Sequence, residues 1–466
     1  MRAAGPRVAV VGAGLAGLAA ARRLCAGGCQ VVLFESGEAA GGRATSLRRE
    51  GFALDSGPHL VSSRDQALLA LVAEAGLAEQ MLPLRPVSLA VALRGQVKRL
   101  RPRGRRRTLR APGVSWRGRM RLARLARLQR RFAALFDAAA PERAARLDDR
   151  SLADFARLYF GRRVLERHLE PLCGGDFLAD AESASRLLFL LHHASRLHLP
   201  TGALRGGLGA LPAALASRLD LRTGHRVESI EPRGAGFAVH IAPRASSAAT
   251  DNGAAASNGA AANGGAQSFE VDAVLAATPA RAAQQLLGAL LEAPERDFFA
   301  SAHYAPAIVA HLALSKPLTA LATRVRAPAA LGLPLAAIAL EPGGARAPAP
   351  EGAGLATLLA RPDWSRRHLD AEDGEIESDL VGALERLYPR AGDALRFAAL
   401  RRWPAAVPRF PVGRYRALAR FRRFEAERLA EGRRLAYAGD YLCAPTLEGA
   451  VRSGQRAARA LLASFR

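Results

Sequence analysis

Apolar residues along this chain fall into short continuous runs and into helically spaced stripes, and the changes between them mark out elements. Val8 to Val11 and Gln30 to Phe34 are strand-like runs, separated by glycines and an Ala/Leu-rich stretch. Residues 7–35 therefore read as strand, tight glycine turn, helix and strand. Leu68, Leu69, Leu71, Val72 and Leu77 predict a helix over about 64–82. From 117 to 136, Leu122, Leu125, Leu128, Phe132 and Leu135 share one helical face, with Arg119, Arg121, Arg124, Arg127, Arg130 and Arg131 between them. That is a basic amphipathic helix. Residues 150–200 also read as helical, and a glycine-rich turn, Gly202 to Gly209, precedes a helix ending near Leu219. Strands are expected at 225–231, 235–243, 269–276, 303–315 and 325–340, and a helix at 371–388. The chain closes with a strand, a glycine turn and a long helix from Leu435 to Leu462. Residues 245–267, almost wholly Ala, Ser, Asn and Gly, read as a flexible excursion between strands.

Composition adds the scale and the charge. Half of the 466 residues are hydrophobic, a globular composition with chain enough for roughly two to three domains. The formal charge is +25 and almost all arginine, since Lys98 and Lys316 are the only lysines. The bland reading is a GC-rich codon bias, since Ala, Arg, Gly and Pro are all abundant, but the charge is uneven. Arg99, Arg101, Arg103, Arg105, Arg106, Arg107 and Arg110 precede the basic helix. Aromatic interleaving is poor there, with Trp116 and Phe132 nearly alone, which disfavours nucleic acid as a partner. Peripheral membrane contact through 94–136 fits better, with leucines inserting and arginines meeting anionic headgroups. The alternative is a solvated basic face on an ordinary helical region. No apolar run reaches the roughly 18 residues of a spanning helix, and the first strand starts too early for a secretory signal. The expected location is cytoplasmic, peripheral on the inner face of the membrane. Cys25, Cys29, Cys173 and Cys443 form neither a CxxC pair nor a His-supported pattern, so no metal site is expected.

The sharpest chemistry lies at the first turn. Gly12-Ala-Gly14-Leu15-Ala16-Gly17 is a GxGxxG motif between a strand and a helix. Gly12 allows the tight turn, Gly14 lets a pyrophosphate approach the backbone, and Gly17 lets the helix pack close. The helix N-terminus then meets the phosphates with free N–H groups. Glu35 ends the second strand, where an acid binds a ribose hydroxyl. NAD would fit the same unit. Gly41-Gly42-Arg43 separates the two, because Arg43 offers a second set of donors to a pyrophosphate.

GxGxxG, a strand-end Glu and a following Gly-Gly-Arg together resemble the flavin amine oxidase superfamily, which includes monoamine oxidases, protoporphyrinogen oxidases and carotenoid-type desaturases. The resemblance implies FAD lying extended across the fold. It places Gly57, Pro58 and His59 near the flavin ring, with His59 packed against the cofactor or core, or catalytic. It puts the backbone of Val227 at the adenine end, and Ala273 to Pro279 at a strand end near the cofactor. Gly439 and Asp440 resemble the second flavin signature, with Asp440 bonding the pyrophosphate–ribityl region. Glu448, Gly449 and Ala450 open the last helix, whose amides would face the flavin's pyrimidine end. Covalent attachment in this superfamily uses a cysteine well before the last signature. Cys443 lies inside it, so the implied FAD is non-covalent.

Leu165 to Asp176, and Arg402 to Pro408 with Val412-Gly413, are similar to protoporphyrinogen oxidase segments, with departures at Phe410 and Arg414. The implied fold is α/β. A Rossmann-like, discontinuous FAD-binding domain would come from 1–85, 200–295 and 400–466. A helical, membrane-facing basic region would fall at 86–199, and a strand-rich substrate domain at 296–399. The implied reaction moves hydride, or its equivalent, from a small-molecule substrate to flavin N5, with dioxygen or another acceptor taking the electrons. No catalytic acid or base is evident. A protoporphyrinogen-oxidase-like enzyme leads, followed by a carotenoid- or squalene-type desaturase or oxidase and then an amine oxidase. A non-enzymatic flavin-binding assembly factor is the contrasting class.

Overall fold

The computed structural model describes residues 5–57, 61–81, 85–86, 88–99, 114–196, 200–242, 267–345 and 347–466. Pro58, His59, the run from Arg101 to Arg110 and nearly all of the 245–267 excursion lie outside the described residues. Gln267 already begins a strand.

Five short strands form a parallel sheet in the order Asp220–Arg222, Gln30–Phe34, Arg7–Val11, Ala273–Ala276, Leu435–Tyr437. Val8 to Val11 and Ala273 to Ala276 are buried throughout, as expected where helices cover both faces. One covering layer pairs the first helix, Leu15–Ala26, with the last, Leu447–Ser464. The strand expected at 269–276 is in fact two. Gln267–Val271 completes a three-stranded antiparallel sheet with Val227–Arg233 and Gly236–Ile241, and Ala273–Ala276 joins the parallel one. The change of sheet falls at Asp272, whose carboxylate accepts the Arg7 N–H at 2.7 Å.

A seven-stranded sheet forms the other half. Its order is Leu395–Pro408, Tyr304–Leu314, Gly354–Ala360, Leu335–Pro342, Thr323–Arg326, Ser88–Leu93, Gln96–Arg99. Three expectations are corrected here. The region from 86, expected to be helical, opens with two of these strands. The strand expected at 325–340 is two strands, broken by Pro328 and by Gly332, which takes a positive φ of 64°. Residues 400–408 belong to this sheet and not to the nucleotide half, because Leu395–Pro408 pairs along the whole length of Tyr304–Leu314.

The helical region follows with Trp116–Arg131, Leu152–Tyr159, Glu170–Phe177 and Arg186–Arg196. The helix expected over 64–82 stops at Glu74, before Gly76 at φ 78°. In Trp116–Arg131 the leucine stripe faces inward. Leu125 is buried, and Leu122 and Leu128 pack with it against the cluster of Leu152, Phe155 and Val164. Phe132 and Leu135 pack against the core beside the parallel sheet. This corrects the picture of leucines inserting into lipid: the stripe's partner is a second apolar face of the same chain. No described helix is long and apolar enough to cross a membrane.

Candidate functional site

A cavity of about 2550 Å³ opens at the C-terminal ends of the parallel strands, bordered there by Val11, Phe34, Glu35 and Ala277, and runs to the seven-stranded sheet. Ligands of open α/β sheets bind at that edge because the strand ends and helix N-termini converge on it.

The three motif glycines do three different jobs. Gly12 sits at φ 102°, and a Cβ there would meet Ala277 O at 2.9 Å. A Cβ on Gly17 would lie 1.9 Å from Gly12 O, so this position closes the turn onto the helix. Gly14 has an ordinary φ of −70°, and a Cβ there would meet nothing within 4 Å. What Gly14 keeps free is a place in the cavity wall. No side chain caps the helix that begins beside it, and no acid stands in its first turn. Leu15 and Ala16 border the cavity with it.

Glu35 takes the N–H of Ala13 on one oxygen and that of Gly37 on the other, both at 2.8 Å. Gly41 N–H bonds Ala13 O at 2.9 Å, which seats the Gly41-Gly42 loop against the glycine turn. Arg43, expected to reach a pyrophosphate, forks onto Asp440 at 2.9–3.0 Å and onto Ala406 O at 2.7 Å. Burial disfavours its charge, but Asp440 outweighs this and raises the Arg43 pKa. The pair locks the two signatures together at the cavity edge. Gly57 and Gly439 border the same space.

Glu448, another expected cofactor contact, turns its carboxylate away. It accepts from Ala67 N at 3.1 Å and Leu68 N at 2.8 Å, capping the helix Gln66–Glu74. Thr446 caps the last helix by accepting the Gly449 N–H at 2.9 Å, and Ala450 N–H bonds Thr446 O. Leu447, Glu448, Gly449 and Ala450 still border the cavity. Val227 also borders the cavity, as does Thr278, which lies beside Gly12 and whose buried hydroxyl has no partner among the described residues. Sequence reasoning quoted the run containing Thr278 without singling it out. It also missed Trp403, whose indole N–H holds Ser56 O at 3.0 Å on the cavity wall.

These residues fit a dinucleotide. An open cradle at Gly14, an uncapped helix start and an orphan hydroxyl are what an extended polyphosphate cofactor would complete. Ligand pockets commonly measure roughly 300–1,000 Å³, so this cavity has room for a cofactor and a bulky substrate together. Ala307, Val309, Ala337, Ala339 and Leu359 floor the sheet end. Among the described residues no His, Cys, Asp and Glu cluster could hold a metal.

A family model described as flavin containing amine oxidoreductase matches residues 15–462. Protoporphyrinogen oxidase 2 of Arabidopsis thaliana is 28% identical over 183 residues, 39% of this chain and 34% of that protein. A 4,4'-diapophytoene desaturase of Staphylococcus haemolyticus is 52% identical over 58 residues, 12% of each chain. The chain thus spans about a third and about an eighth of these two relatives. Among solved structures, one assigned to a protoporphyrinogen oxidase from Exiguobacterium superposes with a TM-score of 0.74 at 18% identity, over 98% of this chain and 99% of that one. Cyclohexylamine oxidase from Brevibacterium oxydans gives 0.73 at 17%, over 99% of each. Both likenesses establish a shared fold.

Proposed function

The chain belongs to the flavin containing amine oxidoreductase family, and from that premise we propose that it is an FAD-dependent oxidoreductase acting on a bulky apolar or macrocyclic substrate, a porphyrinogen first. One observation carries this reading: a single cavity joins the glycine turn to a floor of small apolar side chains. FAD, held non-covalently, would supply the electron-accepting chemistry, with dioxygen or another acceptor as final oxidant. The chain's own residues bind, orient and enclose. Gly14 admits the pyrophosphate and the helix start beside it donates N–H groups. Glu35 fixes the turn, Thr278 offers its free hydroxyl beside Gly12, and Val227 meets the adenine end. Ala307, Ala337 and Ala339 leave the volume that a flat, bulky substrate needs, and Trp403 walls one side.

The 183-residue similarity to the Arabidopsis enzyme supports the porphyrinogen class. The 58-residue similarity to the desaturase supports an isoprenoid as the second reading. The test is anaerobic mixing of FAD-loaded protein with each substrate. Bleaching of the flavin by protoporphyrinogen supports the first reading. Bleaching only by an isoprenoid moves the assignment to the second, and bleaching only by an amine to an amine oxidase. Bound flavin that none of them bleaches points to a binding protein without turnover. Protein that takes up no FAD sinks every one of these readings.

A face of the basic helix other than its leucine stripe offers the membrane contact. Trp116 and Met120, four residues apart, are 70% and 55% exposed. Leu158 and Tyr159 are exposed just before Gly161, over which Arg121 reaches. Among the described residues no acid pairs with Arg117, Arg121, Arg124 or Arg127. An anionic lipid surface on the cytoplasmic side matches that mixture of apolar tips and unpaired arginines.

A further inference from the structure

We propose that Arg324 and Arg326 form a carboxylate-reading subsite at the sheet end of the cavity, so that the substrate is an amphipathic acid: a bulky apolar body carrying at least one carboxylate. The inference rests on the reading of this cavity as the site of oxidation.

Two residues apart on Thr323–Arg326, the two arginines project from the same face of the strand, and both border the cavity. Across the sheet they stand beside Ala339 and Ala337 respectively, and on the other side beside Leu89 and Val91. Their side chains are only 14% and 7% exposed. Each is gripped from one edge. Arg326 gives Nε and Nη2 to Asp176, at 3.1 and 2.9 Å. Arg324 gives Nη2 to Glu341 at 3.0 Å. Nη1 of Arg326 and Nε of Arg324 are buried without a partner among the described residues.

A guanidinium keeps its five N–H donors at every working pH, so these free positions remain donors in search of an acceptor. Neighbouring floor positions are alanine, valine and leucine, which offer none. Asp55 also acts on Arg324 electrostatically, while its Oδ1 accepts from the Ser46 hydroxyl and from the Leu208 N–H. Asp176 and Glu341 thus hold the forks in place and leave donor capacity unused. A carboxylate, with two oxygens and a planar geometry, complements such a fork better than a single carbonyl does. Positions two apart along a strand repeat at about 7 Å, a spacing that serves carboxylates on separate short arms or a single one between them. Because both arginines already have acidic partners, placed hydrogen bonds and not net charge supply the recognition.

The experiment uses FAD-loaded protein and non-turnover probes: protoporphyrin against its dimethyl ester, and oleate against methyl oleate, followed by perturbation of the flavin spectrum. The acid should bind about tenfold tighter than its ester. Arg324→Gln should remove most of that preference and leave ester binding unchanged. Arg326→Gln strands Asp176, so an Asp176→Asn/Arg326→Gln double variant accompanies it. Equal affinity for acid and ester in the unaltered protein overturns the subsite, as does a variant that weakens both alike. An acid preference that depends on the arginines, in a protein whose flavin no substrate bleaches, upholds the subsite while the oxidase reading falls. Turnover of a neutral isoprenoid without any acid preference does the reverse.

Discussion

The two ends of the cavity are shaped by different parts of the chain. At the nucleotide end the backbone does the shaping. Gly12, Gly14 and Gly17 answer to a dihedral angle, an open place in the wall and a carbonyl oxygen. At the sheet end the side chains do it, through small residues such as Ala307 and Ala337 with two held arginines beside them. A backbone constraint admits one residue type. A floor position admits many, and each choice changes what fits above it. The first end is therefore narrowly constrained in residue type, and the second is where specificity can vary.

Substitutions can break that contrast, the largest effect first. Gly14→Val should fold normally, because the space beside Gly14 is open in the free chain, yet lose about 100-fold or more in FAD affinity, roughly 3 kcal/mol. Unchanged FAD titration would remove Gly14 from the site. Gly17→Ala should do the opposite and destabilise the fold by up to about 3 kcal/mol, since its Cβ would lie 1.9 Å from Gly12 O. A denaturant midpoint equal to that of the unaltered chain would contradict this.

At the other end, Ala337→Phe should leave flavin content intact and cut kcat/KM for the bulky substrate about tenfold. If flavin content fell with it, the two ends would not be separable. On the outside of the molecule, each of Arg117, Arg121 and Arg124 changed to Gln should weaken binding to anionic vesicles by about fivefold, near 1 kcal/mol per arginine. Trp116→Ala should add to that loss, while turnover of detergent-dispersed substrate stays the same. Vesicle binding indifferent to these changes would leave the helix an ordinary solvated face.

The smallest effect concerns Cys443. Burial pushes its thiol from 9.0 up to about 12, against the pull of Arg422. The folded chain holds that proton longer than the unfolded chain, so its contribution to stability is complete below pH 9 and is lost as pH rises from 9 towards 12. Alkylation of native protein at pH 8, read by mass spectrometry, should label exposed Cys25 and spare Cys443. Labelling of Cys443 would mean that the last signature opens to solvent.

How legible each part was follows from the range of the interactions. The strand–turn–helix–strand unit was readable because its constraints lie within about 30 consecutive residues. The break at Asp272 was not, because only the Arg7 main chain, far away in sequence, separates the two strands. The hairpin of Ser88–Leu93 and Gln96–Arg99 was absorbed into a helical region because the strand that ties Ser88–Leu93 into the sheet, Thr323–Arg326, arrives more than 200 residues later. The amphipathic stripe at 122–135 was seen correctly as a stripe. Its destination was misread, since a leucine face looks the same to lipid as to Phe155. Among expected cofactor contacts, Arg43 and Glu448 border the cavity, but their side chains bond Asp440 and the start of the helix Gln66–Glu74.

The sequence by itself determined the glycine turn, the acid that braces it, and the presence of an opening and a closing signature, because each depends on residue type within a short span of backbone. Only the tertiary structure decided that these pieces share one cavity with an alanine floor, that Arg324 and Arg326 lie in its wall with donors unspent, and that the basic helix turns tryptophan and methionine outward in place of leucine. Those outcomes depend on which distant faces meet, and burial energy is indifferent to the sequence separation of the surfaces it joins.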